Sequence, residues 1–146
     1  MKAYVTRRYV FPASHRLHAD ALTDDENRDL YGKCNNPHGH GHNYGLFVTL
    51  SGQVDPKTGM VCNLAEIDSF VVREVLGVFD HANLNELDAF RGRVPTTENL
   101  CLAIEGILRR GFTAARVEKV KIQETRKNSF AALAPDGNLA ARKELA

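Results

Sequence analysis

Every second residue from His40 to Leu50 belongs to one set: His40, His42, Tyr44, Leu46, Val48 and Leu50. Side chains alternate between the two faces of a strand, so this period puts both imidazoles on the same side of a sheet as the apolar residues that follow. It predicts a strand over about 40–54 with one buried face. The strand opens on His-Gly-His, with glycine on both sides of His40 and Cys34 six residues before it. Imidazole is the commonest neutral ligand for zinc, and a catalytic zinc usually takes three protein ligands and keeps one position open. His40 and His42 can supply two of them. Cys34 is then either a fourth ligand or a free thiol beside the metal, and that choice separates a structural zinc from an enzyme.

Other segments fall into place around this strand. Ala3, Val5, Tyr9, Phe11 and Ala13 occupy odd positions, interrupted by Arg7, and predict a strand over 2–14. His15 continues that face just past the strand end. Thr23 to Glu26 form a capping box for a short helix towards Tyr31, closed by Gly32. The turn residues of Asp55–Gly59 predict a hairpin closed by a strand around Met60 and Val61. Asn63, with Glu66 as carboxylate partner, caps a helix whose apolar face is Leu64, Ile67, Val71, Val75 and Val78. After Pro95, Thr96 or Thr97 caps a second helix with Leu100, Ala103, Ile104, Ile107 and Leu108 on one face, stopped by Gly111. In a last strand over 116–125, Val120, Ile122 and Glu124 share a face. Residues 131–146, rich in alanine and charge, read as a loosely held tail after a single domain over 1–130. The order implies an α+β fold: a four-stranded antiparallel sheet with two helices on one face. Its open edges call for oligomerisation.

Length and charge narrow the classes. A chain of 146 residues fits one domain, and its net charge of +1, with scattered basic residues, points to neither nucleic acid nor membrane as a partner. No apolar run approaches the roughly 20 residues of a membrane span, and the N-terminus lacks a signal-peptide core. Cys34, Cys62 and Cys101 are an odd number at no framework spacing, which favours free thiols and the cytoplasm.

Each candidate also has a plainer reading. The histidines can be polar residues at a sheet edge, but His15, His40 and His42 in phase, with a cysteine nearby, tilt the balance to metal. For His18 and His38 the solvated surface is the better reading. Asp80 and His81 fit the logic of an aspartate-oriented histidine that lowers the pKa of Cys34. From spacing alone the end of a helix, where histidine suits the dipole, is the better reading. Glu124 is a solvated strand-end carboxylate or a buried anchor, and its phase with Val120 and Ile122 favours the anchor. Cys62 and Cys101 read as small core residues.

Ser14-His15-Arg16-Leu17, Gly32-Lys33-Cys34-Asn35-Asn36-Pro37, Gly39-His40-Gly41-His42-Asn43-Tyr44, Thr58-Gly59-Met60-Val61, Asp80-His81-x-Asn83-Leu84, Thr96-Thr97-Glu98-Asn99 and Gln123-Glu124-Thr125 occur in this order. Together they resemble the 6-pyruvoyl tetrahydropterin synthase family over about residues 4–130. The resemblance implies a tunnelling fold, with sheets joined edge to edge into a trimeric β-barrel and two trimers stacked into a homohexamer whose active sites lie between subunits. It implies His15, His40 and His42 as Zn2+ ligands, Cys34 as general base, and Asp80 and His81 completing the proton-transfer set. Glu124 would anchor the pterin, with Thr96, Thr97 and Glu98 as further contacts. His38 stands where the animal-type motif usually has asparagine, and the segment beyond residue 131 has no counterpart in the resemblance.

The reaction so implied is a zinc-dependent lyase step. It takes 7,8-dihydroneopterin triphosphate to 6-pyruvoyl-5,6,7,8-tetrahydropterin with loss of triphosphate. No redox cofactor is expected, in keeping with the absence of a dinucleotide or phosphate-loop motif. A 6-carboxy-5,6,7,8-tetrahydropterin synthase of queuosine biosynthesis would use the same substrate and also release acetaldehyde. The Cys-x5-His-x-His spacing favours the pyruvoyl product. Cys34 argues against a third branch, which makes a dihydropterin aldehyde and carries glutamate in its place. A non-catalytic zinc or pterin-binding module would leave Cys34, Asp80 and His81 idle. Because Glu124 and the histidines belong to different strands, metal and pterin subsites are expected to be independent.

Overall fold

The structure, a computed structural model, describes residues 1–135. β1 (Lys2–His15) and β2 (His40–Gln53) pair antiparallel along their whole length, from Lys2 opposite Gln53 to His15 opposite His40. β4 (Arg116–Gln123) adds to β2, and β5 (Ser129–Leu133) adds to β4, both antiparallel. β3 (Ala82–Asn83) runs parallel to the end of β1, giving the order β3-β1-β2-β4-β5. The sheet is therefore five-stranded and mixed, where four antiparallel strands were expected. β3 is too short to carry a period, and the Ala-rich β5 shows little contrast between its faces. Residues 131–133 belong to this strand, and the expected tail from 136 onward lies outside the described residues.

The predicted strand at Met60 and Val61 does not form. Asp55 donates its N–H to the Met60 carbonyl at 3.0 Å, and Gly59, at φ +70, donates to the Asp55 carbonyl at 2.7 Å. The segment thus closes on itself as a loop.

α1 (Asp24–Tyr31) carries both bonds of the Thr23–Glu26 capping box and stops at Gly32, whose φ of 54 suits only glycine well. α2 (Leu64–Phe70) starts at Asn63, whose side chain accepts from the Ala65 N–H; Glu66 makes no reciprocal bond. The helix continues through π-helical turns at Val71–Leu76 into α3 (Gly77–Phe79). α4 (Thr97–Gly111) is capped by the Thr96 hydroxyl, which accepts from the Asn99 N–H.

The helices cover one face of the sheet. Phe11, Tyr44, Leu46, Val48, Val120 and Ile122 are buried against Ile67, Val71, Val75, Leu100, Ile104 and Leu108. A bulge opposite Thr49 and Leu50 shifts the phase of β4, so Val117 also points inward. Arg7, the gap in the apolar series of β1, pairs through Nε and Nη2 with both carboxylate oxygens of Asp68 at 3.1 and 2.6 Å. Tyr9 donates to the same carboxylate at 2.7 Å, which fixes α2 on the sheet.

The π turns also correct the predicted helix face. A π turn holds about one residue more than an α turn, so the buried row slips by one position. Val78 is 43% exposed, and Phe79 is fully buried in its place. Phe79→Ala should therefore lower unfolding stability by about 3–5 kcal/mol. Val78→Ala should stay within about 0.5 kcal/mol of wild type. Urea titration of both variants checks the phase, and a costlier Val78 change would refute it.

Candidate active site

The end of the longest strand pair builds the centre. His15 is the last residue of β1, one position inside the strand rather than past its end, and His40 opposite it is the first of β2. His42 follows two residues on. The ligand atoms of the three histidines lie within 4.8 Å of one another, and the His15 and His40 Nε2 atoms are 3.2 Å apart. The rings meet edge-on, with centroids 4.7–5.2 Å apart.

The surroundings prepare these nitrogens to bind a cation. His15 donates its Nδ1–H to the Pro95 carbonyl at 2.8 Å, because a carbonyl can only accept. That leaves the Nε2 lone pair free to face the other two rings. The Tyr44 hydroxyl lies 3.4 Å from the same Nδ1. Burial lowers the pKa of both His15 and His42, favouring the neutral ligand form. His42 Nε2 is buried with no hydrogen-bond partner among the described residues. A buried nitrogen of this kind is costly unless something accepts its lone pair, and a metal ion held by all three imidazoles does so. The donor set fits the expected group.

Gly39 makes the close approach possible. Its φ is +71, and a Cβ there would come within 2.9 Å of the His15 carbonyl oxygen. Only glycine lets the loop turn this tightly onto the end of β1.

Glu124 follows the end of β4, and its side chain is only 12% exposed. Its Oε1 is 3.5 Å from His42 Nε2 and 3.7 Å from His15 Nε2, so the carboxylate adjoins the metal-binding atoms. This corrects the expected independence of the two subsites: the sheet brings the ends of β1, β2 and β4 side by side. Asn128 donates to Oε2 at 3.4 Å.

Cys34 sits half-buried in the 3₁₀ turn Gly32–Asn35, and its carbonyl accepts from the Leu17 N–H at 2.8 Å. Burial, and then the charge of Glu124, push its thiol pKa up. The expected activation by His81 does not occur within one chain, and among the described residues no hydrogen bond links Cys34 to Asp80 or His81. Those two form a separate pair: Asp80 Oδ1 accepts from His81 Nδ1 at 2.8 Å. His81 takes a φ of 56 and donates its backbone N–H to the Pro12 carbonyl at 2.7 Å. It lines a cavity of about 370 Å³ with Ser14, Gly41, His42 and Asn43.

Thr96 is occupied as a helix cap, and Glu98 is exposed. Thr97 is 3% exposed, with a hydroxyl unpartnered among the described residues. His38 is exposed as expected, but His18 is not free, since its Nδ1 accepts from Asn35 Nδ2 at 3.1 Å. Sequence reasoning missed Pro95 and Tyr44 as supports of His15. Tyr44 was legible only as a core position in phase with the histidines.

Fold and site together define an α+β enzyme with a three-histidine centre able to hold a metal ion. Residues 4–134 match the family described as 6-pyruvoyl tetrahydropterin synthase. The human 6-pyruvoyl tetrahydrobiopterin synthase is 44% identical over 128 residues, covering 87% of this chain and 88% of the human one. A putative 6-carboxy-5,6,7,8-tetrahydropterin synthase of Archaeoglobus fulgidus is 38% identical over 79 residues, covering 53% of this chain and 64% of that one. The solved structure of the Caenorhabditis elegans 6-pyruvoyl tetrahydropterin synthase superposes with a TM-score of 0.85 at 39% identity, covering 92% of this chain and 97% of that one. The chain belongs to the 6-pyruvoyl tetrahydropterin synthase family, and its architecture is that family's tunnelling fold. It is an enzyme of the lyase class working in tetrahydropterin biosynthesis. Among the described residues no helix is long and apolar enough to cross a membrane.

Proposed function

We propose that this chain converts 7,8-dihydroneopterin triphosphate to 6-pyruvoyl-5,6,7,8-tetrahydropterin and releases triphosphate. The convergence of His15, His40 and His42 beside the Glu124 carboxylate, in a chain of this family, carries the reading. The three imidazoles hold Zn2+ and leave a position for substrate; when bound, the ion is a Lewis acid that acidifies protons next to the side-chain hydroxyls. Glu124 accepts hydrogen bonds from the N–H groups of the pterin ring and orients it. Thr96, Thr97 and Glu98 add contacts around the ring. Cys34 takes the side-chain proton as general base.

Among the described residues the thiol has no acid–base partner in its own chain, and the Asp80–His81 pair of a second copy would supply one. This is the physical case for active sites shared between subunits of a homohexamer built from two trimers. The edges of β3 and β5, unpaired among the described residues, favour such an assembly. Hydrogen shifts within the substrate and elimination of triphosphate balance the reaction without an external oxidant.

A second reading is the 6-carboxy product, with acetaldehyde as well as triphosphate released. The Archaeoglobus relative favours it. Incubating the purified protein with dihydroneopterin triphosphate and weighing the products separates the two, and unchanged substrate would overturn both.

Glu124→Gln keeps the shape of the side chain but sets an amide donor against the donors of the ring. It should weaken neopterin binding by about 2 kcal/mol, as expected for a lost bond to a charged group. Fluorescence titration reads the loss, and equal affinities would remove Glu124 from the pterin subsite.

A further inference from the structure

Glu124 has an unusual set of neighbours for a side chain only 12% exposed: its ion-pair partners among the described residues are His15 and His42 alone. Among the described residues no lysine or arginine pairs with it. A desolvated carboxylate without a cation is strongly disfavoured. The position of its oxygen suggests where the cation belongs. In a tetrahedral zinc site with bonds of about 2.0–2.2 Å, neighbouring ligand atoms stand about 3.3–3.6 Å apart. His15 Nε2 and His40 Nε2 are 3.2 Å apart, and Glu124 Oε1 is 3.5 Å from His42 Nε2 and 3.7 Å from His15 Nε2. These three spacings are close to polyhedron edges, and the three histidine ligand atoms together lie within 4.8 Å of one another.

We propose that Glu124 is the fourth ligand of the metal in the substrate-free enzyme and moves from the metal to the pterin ring when substrate binds. The proposal rests on the pterin reading above and deepens it, since the same carboxylate serves both subsites in turn. At rest it neutralises part of the metal's charge and closes the open position to stray anions. Substrate hydroxyls then take that position while the ring N–H groups take the carboxylate. Docking the ring and opening the metal become one event.

The test uses full-length protein loaded with Co2+ and no pterin, whose visible bands report the ligand set. Glu124→Gln should shift these bands and lower Co2+ affinity about tenfold or more in chelator competition. Glu124→Asp, which keeps the charge but draws it back, should shift the bands in the same way. Adding neopterin to the wild type should change its spectrum as the carboxylate leaves. Variant spectra that superimpose on the wild type would overturn the proposal, even if affinity falls, because a through-space charge effect leaves the ligand set unchanged. Far-UV circular dichroism guards against reading a misfolded variant. The substrate-free spectra do not depend on turnover, so they fail or succeed separately from the product assay.

Discussion

His42→Ala should leave the protein folded and without metal. Two imidazoles remain, and the loss should exceed the 10–100-fold (about 1.4–2.7 kcal/mol) that changes behind a ligand cost in affinity. The side chain is 18% exposed and stands at a strand end, so the cavity left by its removal opens to solvent rather than into the core. Elemental analysis should find close to no zinc per chain after dialysis, with an unchanged far-UV spectrum and no turnover. Stoichiometric zinc with full activity would remove His42 from the ligand set.

Cys34→Ala should separate chemistry from metal binding. Turnover should drop by roughly 10²–10⁴-fold, the range for a positioned acid–base group. Zinc content should stay near wild type, because the thiol stands outside the three-histidine cluster. A metal-free variant would make Cys34 a ligand instead, and unaltered turnover would end its role as a base. The raised pKa of the thiol in a single chain sharpens the point. If the proposed sharing between copies holds, subunits held apart should be as inactive as the alanine variant, since the Asp80–His81 pair of another copy would be out of reach.

The parts of the fold that depend on local periodicity were legible in the sequence. The alternation from His40 to Leu50 placed β2 and both of its histidines, and Thr23, Asn63 and Thr96 marked three helix starts. Features set by the path of the chain in space were not. β3 exists because the chain leaving α3 passes beside the end of β1, and its two residues have no period. The π turns that bury Phe79 in place of Val78 follow from packing, and no residue type announces them. In the site, strand phase gathered the three histidines correctly. The approach of Glu124 to them needed the register of β4 on β2, and the lack of a hydrogen bond from Cys34 to Asp80 or His81 among the described residues needed the tertiary path.

The ladder between β1 and β2 ends on His15 opposite His40, and the chain joining those two residues is the long excursion over 16–39. Closing a loop of that length costs entropy, which contacts at the terminal rung must offset. A metal held from both sides of the rung acts there as a non-covalent staple, much as a disulfide closes a loop in a secreted protein. Cys34 and the α1 excursion are carried on that segment, so under the proposed function metal occupancy would govern the order of the proposed base as well. Protein stability and readiness for catalysis would then be two expressions of one binding equilibrium, and chelation should loosen both together.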